Sequence, residues 1–219
     1  MSEVSVVIPT YRRLENLERI LEAWLLQSSD VWLCDSSGKF ETALPINHVR
    51  FSPDPGNKAR HAVALMTTGD YVIKADDDVL PKPGLIDAFR KHHRLHGVLG
   101  LMGRTFHGKS YYENTKDFRA NKIDKVTRVD MVGILTFSPR RYLAFDLKGC
   151  ATPVEDLFWH MRTYPRVAKY VIPTTRYEQL PESKDEGCLY RDAPSRVERE
   201  KFYSKYYKKH YMKKRGRRR

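Results

Sequence analysis

The chain has 219 residues, 41% of them hydrophobic, enough for one large α/β domain with a full core. It has no run of about 18 apolar residues and no basic stretch leading into an apolar one at its start, so neither a transmembrane helix nor a signal peptide is expected. The net charge of +13 is uneven: residues 201–219 hold ten of the 40 lysines and arginines and no acid, while the body is close to balanced. Such a tail suits a polyanion, either nucleic acid or an anionic membrane surface, or it serves as a solubilising end. Cys34, Cys150 and Cys188 are far apart and form no C-x-x-C pair. They read as free thiols in a reduced, cytoplasmic setting, with no structural zinc.

VSVVIP opens the chain as a strand buried on both faces, as in a parallel sheet. Thr10 is placed to cap a helix on which Leu14, Leu17, Leu21, Trp24 and Leu25 recur at helical spacing. VWLCD is a second strand, ended by SSG. A helix is expected after Pro55-Gly56, stopping at Gly69 as a C′ glycine. DYVIKADDD reads as a strand running into three carboxylates. PKPGLIDAFRKHH reads as a helix, GVLGLMGRTF as a strand, residues 107–127 as a long loop, and VDMVGILTFSP as another strand. TPVEDLFWHMRTY is a helix with Thr152 as cap and Pro153 in its first turn, KYVIPT is a last strand, and residues 181–195 are loop-like. Phe202, Tyr203, Tyr206, Tyr207 and Tyr211 fall on one helical stripe, so residues 196–212 form an amphipathic helix docking on the body, followed by an unstructured KKRGRRR. The boundaries are a 1–195 domain and a 196–219 basic aromatic appendage.

The chemistry gathers at strand ends, where open α/β sheets bind ligands. Asp76, Asp77 and Asp78 repel one another, and a divalent cation would remove that cost; the alternative is a solvated acidic turn. Asp35 either meets a nucleobase or ribose, or closes an Asx-turn with Ser36, Ser37 and Gly38. Glu155 and Asp156 open a helix, where carboxylates are favoured by the dipole; one of them can instead be a general base. His160, one turn on, is a ligand, a relay or a structural histidine.

In order and spacing, VSVVIPTYRR, CDSSG, GNKARHAVALMTTGDYVIKADDD and VEDLFWHMR resemble the GT-A glycosyltransferases, family 2 most closely, over residues 4–175. The resemblance implies a Rossmann-like α/β fold with a central, mostly parallel sheet flanked by helices, to which a basic C-terminal helix and tail are added. It implies a nucleotide-sugar donor, with UDP as the expected carrier, and inversion at the anomeric carbon. Pro9, Thr10, Tyr11 and Arg12 would line the nucleotide pocket, and Asp35 would read the base. Lys58 and Arg60 would sit near the nucleotide or its phosphates, with Asp77 beside them. Asp76 would face the ribose or sugar and share with Asp78 a Mn²⁺ or Mg²⁺ ion. Asp156 is the favoured base, and Glu155 the second. The late histidine that many relatives carry is missing from PTTRYEQLPESK.

For the acceptor, the tail decides. Lys208, Lys209, Lys213, Lys214, Arg215 and Arg217, interleaved with tyrosines, suit a phosphate backbone. In charge and size the chain resembles the bacteriophage glycosyltransferases that modify hydroxymethylated pyrimidines in DNA, where the base must leave the stack. A membrane-associated lipid or cell-surface glycan is the alternative acceptor. A nucleic-acid-binding module that has lost catalysis and a nucleotidyltransferase that releases pyrophosphate are the readings from other classes.

Overall fold

A computed structural model describes residues 3–56, 58–108, 110–113, 115–144, 155–163, 166–181 and 193–206. Among these, nine strands form one sheet and two form a small antiparallel ribbon. Strand β1 (Val4–Thr10) lies at its heart, and Val4, Val6, Val7 and Ile8 are all buried. A strand with apolar residues on consecutive positions needs cover on both faces, which explains its central place. Helix α1 (Leu17–Leu25) buries Leu17, Ile20, Leu21 and Trp24. Thr10 does not cap it: Thr10 ends β1, and the residue before the helix is Asn16, whose side chain makes no capping bond.

Parallel to β1 run β2 (Asp30–Asp35) on one side and β4 (Tyr71–Ala75) on the other, and β3 (Asn47–Arg50) extends the sheet beyond β2. The sequence carries no clear sign of β3, whose four residues alternate weakly. Helix α2 (Lys58–Met66) follows the left-handed Gly56 as expected. Gly69 is not in the left-handed region that a C′ glycine occupies. A Cβ there would lie 2.6 Å from Ser5 Oγ, so glycine is needed for close approach to β1. The ribbon pairs β5 (Val79–Pro81) with β11 (Tyr177–Gln179), and helix α3 (Leu85–Arg90) follows the left-handed Gly84.

Beyond β4 the sheet changes direction. Strand β9 (Met131–Pro139) inserts antiparallel between β4 and β6 (Val98–Phe106). Strand β10 (Lys169–Val171) returns parallel to β6, and β8 (Thr127–Val129) closes that edge antiparallel. Much of the expected 107–127 loop is structured: β7 (Thr115–Arg119) pairs with β6, and a 3-10 turn spans Ala120–Lys122. Helix α4 (Glu155–Thr163) covers this half; its expected cap, Thr152, and Pro153 lie outside the described residues. Helix α5 (Ala193–Tyr206) begins three residues before the expected 196 and packs against α4. Tyr203 is fully buried with Phe106, Tyr111, Met131 and Leu157, so the start of the aromatic stripe is a docking face. No described helix is long and apolar enough to cross a membrane.

Candidate active site

The carboxyl ends of the neighbouring parallel strands β1, β2 and β4 bring Thr10, Asp35 and Asp76–Asp78 to one edge. Asp35 is buried and closes the turn that follows it. Its Oδ1 accepts hydrogen bonds from Ser37 N at 2.7 Å, Ser37 Oγ at 2.6 Å and Gly38 N at 3.3 Å, and His48 Nε2 lies 3.1 Å from Oδ2. Burial opposes the charge, but these hydrogen bonds outweigh it and hold the carboxyl below its ordinary range. The Ser36 amide donates to Thr10 O at 2.9 Å, which ties this turn to the end of β1.

The acidic triplet comes with its own cations. Arg13 Nη1 donates to Asp77 Oδ1 and to Asp78 Oδ2, both at 3.1 Å, and Arg60 Nη1 donates to Asp76 Oδ1. The repulsion that a divalent ion was expected to relieve is thus offset by two arginines. The relief is incomplete. Burial first, and then the neighbouring carboxylates, push Asp78 up to about 7; burial lifts Asp77 to about 6 against the pull of Arg13. Asp76 stays 39% exposed, while Asp78 Oδ1 is buried with no hydrogen-bond partner. Among the described residues, no set of three or more His, Cys, Asp or Glu side chains converges on a common metal position.

Arg60 then links the triplet to α4. Its Nη2 lies 3.8 Å from Glu155 Oε2, while Lys74 Nζ from β4 donates to Glu155 Oε1 at 3.1 Å and His61 Nδ1 lies 3.6 Å away. Glu155 is therefore buried beneath the site between two cationic side chains and a histidine. Its companion Asp156, 23% exposed, accepts from Arg199 Nη2 of α5 at 2.8 Å. Ile134 adds a backbone device. It is a β-branched residue at φ 65, and its carbonyl accepts the Asp76 amide at 2.9 Å. Such a conformation costs about 1–3 kcal/mol and persists only where the surroundings hold it.

The sequence profile of glycosyl transferase family 2 matches residues 5–139. The chain belongs to this family. The fold of this family 2 member is similar to that of S. aureus TarS 1–349, with a TM-score of 0.60 and 15% identity over 83% of this chain and 61% of that one. TarS 1–349 in complex with UDP-GlcNAc matches with a TM-score of 0.55 and 16% identity over 80% and 57%. The chain thus spans less than two thirds of either matched structure. No curated protein sequence matches it significantly.

Measured against expectation, the chain gathers Asp35, Arg60, Asp76, Asp77, Asp78, Glu155 and Asp156 around one edge, with Pro9, Thr10, Tyr11 and Arg12 in or just after β1. Tyr11 is exposed, and Arg12 stacks over its ring at 5.0 Å. Lys58 stands half-buried at the first position of α2. Arg60, expected near the nucleotide or its phosphates, pairs with Asp76 and approaches Glu155. His160 is buried against Trp159 and kept neutral by burial and by the charge of Lys169. Lys208, Lys209, Lys213, Lys214, Arg215 and Arg217 lie outside the described residues. Sequence reading missed Arg13, Lys74, His61 and Arg199. Lys74 left a trace, being a charge inside an otherwise apolar strand. Arg199 left none.

Proposed function

We propose that the chain is a metal-dependent, inverting glycosyltransferase that moves a sugar from a UDP-sugar to a hydroxyl of a polyanionic acceptor, first of all a hydroxymethylated pyrimidine in DNA. One observation carries the reading: an ion-paired chain from Arg13 through Asp76–Asp78 and Arg60 to Glu155 joins the strand-end acids to the pair that opens α4. Family membership and the likeness to a fold crystallised with UDP-GlcNAc support the donor class. Asp35, closing the turn after β2, would present that turn to the base. Tyr11 and Arg12 would border the nucleotide.

The residues fit a divalent ion. Asp78 Oδ1 is an oxygen without a hydrogen bond, and Asp76 offers a partly exposed carboxylate. Two carboxylates plus diphosphate oxygens are a usual ligand set for Mg²⁺ or Mn²⁺. When bound, the ion would neutralise charge on the departing diphosphate. Asp156 would take the proton of the acceptor hydroxyl. That oxygen would bond to the anomeric carbon as the bond to the diphosphate breaks, and the electron pair would leave with the nucleoside diphosphate. Glu155, buried against Lys74, is the weaker candidate for this step. The basic tail supports the acceptor class.

The test is UDP release from UDP-GlcNAc and related donors with Mn²⁺, followed by sugar transfer to hydroxymethylated DNA, unmodified DNA and a lipid-linked glycan. Asp78→Ala and Asp156→Asn are each expected to lower turnover about 100-fold or more while melting with the parent. Undiminished turnover in Asp78→Ala would remove the metal assignment. Transfer to the glycan and not to DNA would reassign the acceptor.

A further inference from the structure

Asp156 is not held by α4 alone. Its Oδ1 accepts from the Leu157 amide at 2.8 Å and from Arg199 Nη2 at 2.8 Å. The same guanidinium donates through Nη1 to Tyr111 Oη at 3.1 Å, and Arg199 is 7% exposed. The helix that carries it is anchored on both flanks. Glu200 Oε2 accepts from the Tyr111 amide at 2.8 Å and from Ser110 Oγ at 3.2 Å. Tyr203 Oη donates to Gly108 O at 2.9 Å, and Phe202 packs on Phe158 with ring centroids 5.5 Å apart. An arginine this buried and this firmly held loses little freedom when it pairs, so its orientation is passed to the carboxylate.

We propose that Arg199 is a positioning residue for sugar transfer: its guanidinium fixes Oδ1 of Asp156, leaves Oδ2 to take the acceptor proton, and so makes α5 part of the active site. This rests on the reading of Asp156 as the base. The groups around Asp156 are Arg199 from α5, Tyr111 from the segment before β7, His160 on α4 itself, and Arg60 of α2 and Lys74 of β4, which feel its charge. Among the described residues, Arg199 is the side chain hydrogen-bonded to the carboxylate. Burial opposes ionisation there, and Arg199 outweighs it, so the carboxyl is held below its ordinary range. A base kept ionised in this way stays ready at mildly acidic pH, at some cost in proton affinity.

The experiment uses the full chain with UDP-GlcNAc and Mn²⁺, and follows UDP release against pH for Arg199→Gln, Arg199→Lys and Asp156→Asn. Arg199→Gln is expected to lower kcat about tenfold, leave the donor KM within about twofold, and move the acid limb of the profile to higher pH. Arg199→Lys restores the limb and most of kcat. In an Asp156→Asn background, Arg199→Gln adds no further loss. Wild-type kcat with an unshifted limb in Arg199→Gln overturns the proposal, as does an undiminished extra loss in the double variant, which would make the role of Arg199 structural. Full activity in Asp156→Asn would sink the base assignment instead, so the two failures are distinguishable. Should Arg199→Gln not fold, Tyr111→Phe removes the second guanidinium contact and keeps the charge; it is expected to lower kcat severalfold with the acid limb in place, and an unchanged kcat would count against the proposal.

Discussion

Lys74 sits in the middle of an apolar strand and is 3% exposed, with its ammonium over the Trp159 ring at 4.2 Å and 3.1 Å from Glu155. Burial pulls its proton affinity down and Glu155 pulls it back up, so the pair is held together by mutual need. Breaking such a pair from one side leaves an uncompensated buried charge. Lys74→Met should therefore cost about 3–5 kcal/mol in urea unfolding, and adding Glu155→Gln should recover part of that loss. A double variant no more stable than Lys74→Met would show that the two do not act as a pair. The same cluster marks the limit of sequence reading at this scale. Asp35 and the acidic triplet were legible as candidates because residue type and strand-end position already imply chemistry, and Glu155 and Asp156 because they open a helix. Arg13 and Arg199 were not, because they reach these acids from other elements, and one-dimensional spacing carries no trace of that.

At the scale of elements, strands with long apolar runs and helices with clear stripes were legible: β1, β2, β4, β6, α1 and α2 stand near their expected bounds. Short or half-polar pieces were not. β3 and β7 bury little, so their sequences lack the pattern that burial imposes. The insertion of β9 between β4 and β6 was equally hidden, since strand order is a long-range property. Glycines now explain how tightly that insertion fits. A Cβ on Gly100 would lie 2.6 Å from Val132 Cβ and 2.9 Å from Leu135 O, both on β9, whereas at Gly133 the nearest atom is 3.5 Å away. Gly100→Ala is expected to destabilise by about 1–3 kcal/mol in thermal melting, and Gly133→Ala far less. Equal melting points for the two would mean that β9 yields more easily than its packing implies.

At the scale of the whole molecule, α5 follows the stretch matched by the family 2 profile, and its buried Tyr203 and Arg199 pack beside the acids that open α4. Deleting residues 207–219, which carry most of the tail charge, should leave UDP release intact. If the tail holds the proposed DNA acceptor, the deletion should also flatten the salt dependence of that binding, because each lost phosphate contact removes about 0.9 from the slope of log affinity against log salt. An unchanged slope in a filter-binding titration would move the polyanion surface elsewhere on the protein.

Arg13 and Arg60 have a consequence for how the fold carries its own charge. Because these guanidinium groups stand permanently opposite the acidic triplet, the chain carries its counter-ions within its own covalent structure. Part of the repulsion at the strand ends is thereby met from within the fold.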